Sequence, residues 1–461
     1  LGEIRTFYGW LGPIRDNFEN VAAYASAVGA DVRVRFDDTP TSAMEAKMDG
    51  PWFPEKFSTN DLAHLLDGSA PPQWNRVGAH GQPWLYELTD LAREQQWDET
   101  YPAEILDWLR EDQQLYGVPL TTVPHNFIAY SEAFFEAHAK AFPPGVFPPR
   151  SWEDFQRVLE IIKTDPEIQK ANSGHGVVPL ALAEWLWWHW VWDAVVPASA
   201  GVEFHGKFWS LGFEAPLPDA PWAADEPLSE AFRRVAWLYC GDAAPDECRA
   251  AQCPLDPPEA RAECLGTGPG YVNQDAMMSY AELDAEELVA RLVEGRVALL
   301  PMAWGTVDEL GAAARRGIRL GVFPLPGAAG DDELAVITLT SLVHSRSSPN
   351  PEGARAFLRT LMSEAGQLTF QGGSGTTLRR VNLGDPRLTP FGRTTAKYLR
   401  NAVDSGNIVL GGLNTRTYQE CGRCPWLRAT PLVLWQSASA DALLANAREF
   451  YTTLKTRPPS E

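Results

Sequence analysis

Hydrophobic and polar positions in this chain switch between a two-residue and a 3.6-residue period, and the switches outline its elements. Ile4 to Tyr8 reads as a strand, Arg15 to Val28 as a helix, and Asp31 to Phe36 as a second strand. Ser151 to Asp154 has the form of a capping box, after which Phe155, Val158, Leu159 and Ile162 repeat at helical spacing. Val297 to Met302 is a short apolar run of the kind buried strands have, and Ile337 to Ser345 is another. The second leads into Asn350 as a helix cap, Pro351 at the first helical position, and a stripe of Ala354, Phe357, Leu358 and Leu361. Strands alternating with helices predict an α/β fold built on largely parallel sheets.

Length divides this pattern further. A chain of 461 residues, 45% hydrophobic, exceeds what one core usually supports, so two or more domains are expected. The Pro-rich stretches Phe142 to Pro149 and Leu217 to Pro227 read as surface loops, and no low-complexity linker separates two beads. Two lobes with several chain crossings fit. The most apolar run, Trp185 to Val196, is punctuated by His189 and Asp193 and is too short to span a membrane. A net charge of -21 repels phosphate backbones and anionic headgroups, which argues against nucleic-acid and membrane-surface partners.

The six cysteines fall into two groups: Cys240, Cys248, Cys253 and Cys264 in an Asp-, Pro- and Ala-rich segment, and Cys421 with Cys424. A segment with so little to bury gains from covalent staples, so disulfides are expected and with them a place outside the reducing cytosol. Zinc is the rival reading, but only Cys421 and Cys424 have knuckle spacing. The start at Leu1, without a basic and apolar leader, fits a mature product.

Several segments, in order, resemble the extracellular solute-binding proteins (family 1, sugar-type) of ABC importers, nearest to glucose- and mannose-type binders. They are Phe7-Tyr8-Gly9-Trp10, Pro71-Pro72-Gln73-Trp74-Asn75, Tyr86 to Leu91, Tyr116-Gly117-Val118-Pro119 with Asn126 to Tyr130, Pro149 to Phe155, Gly295 to Leu299 before Trp304, and Pro349 to Phe357 with Gln371 to Arg380. The resemblance implies a periplasmic-binding-protein-like fold: two α/β lobes, a ligand cleft and hinge crossings. It places the lobes at 1–119 with 326–373 and at 120–325 with 374–461, the latter carrying residues 240–264 as an excursion. It also implies a saccharide ligand, a membrane permease as partner, no cofactor, a monomeric state, and a periplasmic or extracellular location, with lipid anchoring through a removed N-terminal segment as one form of it. Ala303, Thr340 and the Thr122–Val123 pair stand where that group carries two Asp residues and a His. The paired carboxylates that clamp adjacent sugar hydroxyls are therefore absent, which argues against monomeric glucose.

Tryptophan supplies the candidate site. Eighteen are present, five of them between Trp185 and Trp192. An indole suits the C–H face of a sugar ring, and flanking acids and amides suit its hydroxyl rim. Trp304 is the first choice, following a buried strand, and Trp10 sits at a strand tip, where open α/β sheets bind ligands. Trp435, Trp185 and Trp188 are further stacking candidates. Trp185, Trp188 and Trp192 also share one helical face and can equally be core. Asn75, Arg76, His80, Asn126 and Glu184 are polar candidates, and Arg379 follows the Gly-rich return Gln371 to Gly375, which reads as a hinge because it lacks a phosphate-loop Lys. No catalytic constellation of the serine-hydrolase, zincin or nucleotide-binding kind is present, so no enzyme is expected. A non-sugar ligand (peptide, polyamine or organic anion) and a secreted carbohydrate-active enzyme are the alternatives.

Overall fold

In a computed structural model the chain divides into two compact units, and the described residues are 2–7, 13–37, 60–65, 83–170, 176–182, 190–210, 227–250, 270–272, 285–303, 305–327, 334–412 and 439–456. The principal strands are β1 (Gly2–Phe7), β2 (Val32–Asp37), β3 (Leu62–Leu65), β4 (Val118–Pro124), β5 (Phe127–Ser131), β6 (Val178–Leu180), β7 (Val297–Pro301), β8 (Leu320–Pro324), β9 (Ala335–His344) and β10 (Ile408–Leu410). Unit 1 holds Leu1–Val123, Leu310–Arg316 and Thr338–Val403; unit 2 holds Pro124–Glu309, Gly317–Ile337 and Asp404–Glu461.

Unit 1 is built on β9-β3-β1-β2, with β4 also paired to β9. The strands β1, β2 and β3 run parallel, Thr6 lying opposite Leu62 and Phe36, while β9 is antiparallel to β3 with Ser341 opposite Leu65. In β1, Ile4 and Thr6 are buried while Glu3 and Arg5 are exposed, the alternation of a sheet covered on one face. The helix Pro13–Ala27 covers that face with Phe18, Val21, Ala22 and Ala25, spaced at one helical stripe. Phe18 stacks on Phe357 at 5.7 Å and meets the edges of Phe36 and Phe370. Fully burying such a ring stabilises the fold by about 2–3 kcal/mol. Phe357 belongs to the helix Pro351–Met362, which Asn350 caps through the Gly353 N–H at 3.0 Å with Pro351 at its start, as the sequence predicts.

His344, at the end of β9, is buried against the Tyr86 ring at 4.5 Å, and its Nε2 has no hydrogen-bond partner among the described residues. Burial lowers its pKa to about 4, with Asp61 acting against the shift and Arg355 with it. The unfolded chain takes up this proton near pH 6.5 and the folded one only near 4, so the contribution is full above 6.5 and is lost as pH falls through that window. The loss should reach the order of 3 kcal/mol by pH 4. Urea titrations between pH 7 and 4 should show it, and His344→Phe should flatten the slope; an unchanged slope in that variant would assign the acid sensitivity elsewhere.

Unit 2 has the sheet β8-β5-β7-β6, in which β5 is antiparallel to both β8 and β7 and β6 is parallel to β7. All five positions of β7 and of β8 are buried, as expected of strands covered on both faces. The helix Trp152–Thr164 begins where the capping box predicts, with the Ser151 hydroxyl accepting from the Asp154 N–H at 3.1 Å, and it buries Trp152, Phe155, Val158, Leu159 and Ile162. Tyr130 of β5 lies across Gly321 of β8, between Phe135, Phe147 and Phe323. A Cβ on Gly321 would fall 2.1 Å from the tyrosine ring. Gly321→Val should therefore cost about 2–3 kcal/mol by overpacking, read as a lower melting temperature, while Gly321→Val with Tyr130→Ala should recover part of it.

Cys240 and Cys248 form a disulfide that joins the end of the helix Pro227–Cys240 to the helix Pro245–Ala250. This staples the start of the predicted excursion within unit 2; Cys253, Cys264, Cys421 and Cys424 lie outside the described residues.

The chain passes from one unit to the other after Val123, Glu309, Arg316, Ile337 and Val403. These boundaries differ from the sequence-based ones at 119, 325 and 373. Residues 326–337 fall in unit 2, where the first three residues of β9 pair in parallel with β10, and residues 374–403 fall in unit 1. There the Arg380 N–H donates to Thr100 at 2.8 Å, and the Gly-rich return, expected to be a hinge, is packed tightly within the unit. Gly375 has φ +70°, and a Cβ there would meet the Gly392 carbonyl at 1.8 Å, so its glycine serves close approach.

Candidate ligand site

In open α/β sheets, ligands collect where parallel strands end, because the loops that follow the carboxyl ends are free of the crossover helices' return. In unit 1, β1 ends at Phe7 and the chain after it carries Trp10; β3 ends at Leu65 and the chain after it carries Asn75, Arg76 and His80. In unit 2, β6 ends at Leu180 and leads to Glu184, Trp185 and Trp188; β7 ends at Pro301 and leads to Trp304; the chain after β10 leads to Trp435. Those nine candidates lie outside the described residues; the ends of β1 and β3 share one sheet edge and those of β6 and β7 share another, while β10 pairs with β9 in the first sheet.

The residues flanking position 304 are held firmly. The Met302 N–H donates to Phe127 at 2.8 Å, the Ala303 N–H donates to the Thr306 hydroxyl at 2.8 Å, and that hydroxyl donates back to the Ala303 carbonyl at 2.9 Å. Both bonds are buried, which fixes the strand-to-helix turn on either side of the tryptophan. In unit 1, β9 continues past the end of β3, because Ser341 is opposite Leu65 and Thr338 and Thr340 come before it. All three hydroxyl residues are buried, and the Ser341 hydroxyl has no hydrogen-bond partner among the described residues. The sequence singles out Thr340 alone; Thr338 and Ser341 carry no signal beyond being hydroxyls in an apolar strand.

Two of the expected ligand residues are described, and both hold backbone. Asn126 is buried in unit 2, where its Nδ2 donates to the Leu334 carbonyl at 2.8 Å and its Oδ1 accepts the Val336 N–H at 3.0 Å, bracketing the entry to β9. Arg379 in unit 1 reaches the Thr100 hydroxyl at 3.0 Å and the Gln95 carbonyl at 3.3 Å, with its guanidinium over the Tyr101 ring. Burial pushes the Tyr101 hydroxyl well above its usual pKa, with the Arg379 charge acting in the opposite direction.

Trp190 and Trp192 are core residues: both are buried, and Trp192 stacks on Phe208 at 4.9 Å with its edges against Trp209 and Phe232. Trp190 precedes, and Trp192 lies within, the π-helical turn Val191–Val195.

No known family profile matches the chain. Among solved structures, the bacterial solute receptor AcbH, which has an exclusive preference for β-D-galactopyranose, superposes with a TM-score of 0.68 over 99% of both chains at 13% identity. The chain has the solute-receptor fold. Maltose-bound MalE3 of T. maritima matches with a TM-score of 0.61 over 98% of this chain and 100% of that one, at 14% identity. The acarbose-binding receptor GacH of Streptomyces glaucescens matches at 0.59 over 98% of each chain, also at 14% identity. In sequence, 85 residues are 37% identical to an uncharacterised ABC transporter extracellular-binding protein of Pyrococcus horikoshii, a match spanning 18% of each chain.

Proposed function

We propose that this protein is the extracytoplasmic substrate-binding component of an ABC importer and that it captures a saccharide, a monosaccharide or small oligosaccharide, without altering it chemically. The observation that carries the reading is the superposition of nearly the whole chain on solute receptors that bind galactose, maltose and acarbose. The carboxyl edges of the parallel strands support it, since in each unit they feed segments rich in indoles, amides and acids. The Cys240–Cys248 disulfide supports a place outside the reducing cytosol, and the partner in this reading is a membrane permease.

A thermal-shift screen against mono- and oligosaccharides, followed by calorimetry on each hit, tests it. A ligand that binds only the folded state stabilises by about 2.7 kcal/mol at 100 times its dissociation constant. One saccharide should raise the melting temperature and be recovered intact. A silent saccharide panel, or cleavage of a glycosidic bond, would overturn the reading.

A further inference from the structure

Asp193 interrupts the most apolar stretch of the chain, and it is only 1% exposed. It lies in the π-helical turn Val191–Val195, which adds a residue to one turn and so re-aims the side chains that follow. Its Oδ1 accepts the Gly412 N–H at 2.8 Å and faces His205 Nε2 at 3.2 Å. The Trp209 indole Nε1 lies 3.0 Å from the same imidazole nitrogen. One imidazole nitrogen has a single hydrogen-bonding position, and a buried carboxylate is the stronger claim on it, so Nε2–H is placed on Asp193. Trp209 then locks Gly412 from the other side: a Cβ on Gly412 would fall 2.2 Å from its ring. Gly412 opens the segment that leads to Trp435, and Trp190, three residues before Asp193, closes the segment that holds Glu184, Trp185 and Trp188.

We infer that Asp193 is a positioning residue: from a buried site in unit 2 it clamps, with His205 and Trp209, the two chain ends from which these candidate ligand segments emerge. Its effect on affinity rests on the saccharide reading above; the clamp does not.

Hydrogen exchange read by mass spectrometry on the full chain tests the clamp without a ligand. In Asp193→Asn, peptides covering 190–195 and 408–412 should exchange at least tenfold faster, while peptides from β5 and β7 stay as in wild type. Trp209→Phe, which removes the edge of the indole ring packed on Gly412 and leaves Asp193 in place, provides the second variant and should speed exchange of 408–412. Wild-type exchange in both peptides, or loosening of β5 and β7 along with them, would overturn the inference. Where the screen yields a saccharide, Asp193→Asn should weaken its binding at least tenfold; a silent screen removes the saccharide reading and leaves the exchange result to decide the clamp.

Discussion

Replacing Asp61 with Ala should lower the stability of the protein by about 3–5 kcal/mol, the largest loss expected from any single polar side chain described above. Asp61 is 1% exposed and stands just before β3. Its Oδ2 accepts the Arg5 N–H of β1 at 2.7 Å; its Oδ1 accepts the Asn350 N–H at 2.6 Å and the Ser348 hydroxyl. Its own backbone is used as well, since its N–H donates to Arg5 and its carbonyl accepts from Ser345. One carboxylate thus ties β1, the entry to β3 and the turn that starts the helix Pro351–Met362. Alanine removes one acceptor from three donors and strands two part-buried backbone N–H groups, each at about 1–3 kcal/mol. Asp61→Asn is the sharper probe: it preserves the shape but turns one oxygen into a donor facing an N–H, so about half the loss should remain. Chemical denaturation of both variants reads this out, and an alanine variant within about 1 kcal/mol of wild type would show that water takes over the bonds.

Replacing Trp304 with Ala should abolish saccharide binding, weakening it by at least about 100-fold, with the ligand-free melting temperature held within a few degrees. An indole supplies 150–250 Å² of apolar surface at a cost of only two fixed torsions, and central aromatic anchors carry about 2–4 kcal/mol of a binding energy. The turn around position 304 is pinned by Thr306 and by the Phe127 carbonyl, so truncating the ring leaves the backbone in place. Trp304→Phe should retain binding within about tenfold because a flat apolar face remains. Calorimetry with the saccharide found in the screen decides it: affinity within threefold of wild type in the alanine variant would move the stacking role to another tryptophan.

The sequence made the local elements legible wherever one residue type had one physical use. Ser151 and Asn350 cap the helices they were expected to cap, and the apolar stripes after them are buried. β7 and β9 stand close to the apolar runs that predicted them. The solute-receptor fold was legible through ordered short motifs rather than any one of them. What was not legible depends on partners distant in the chain. Nothing around Asp61 marks it as the acceptor for residues 5, 348 and 350. The motif around Asn126 marks it as a ligand candidate, but not that its amide also holds two backbone groups some 208 and 210 positions away. The tryptophan run was read as one helical stripe, whereas residues 190–198 are buried on every side, so Trp190 and Trp192 are both core whatever the phase of the helix.

The repeated passage of the chain between units has a consequence for how the molecule is made. Unit 1 takes β9, its capping helix and the Gly-rich return from residues 338–403, so the first 123 residues emerge from the ribosome without the strand that pairs with β3 or the Phe357 ring that stacks on Phe18. Pairings separated by nearly 300 positions form late, after a large loop-closure entropy has been met. Residues 1–123 are therefore synthesised as an open, unfinished core, one that a chaperone would have to cover until residue 403 arrives.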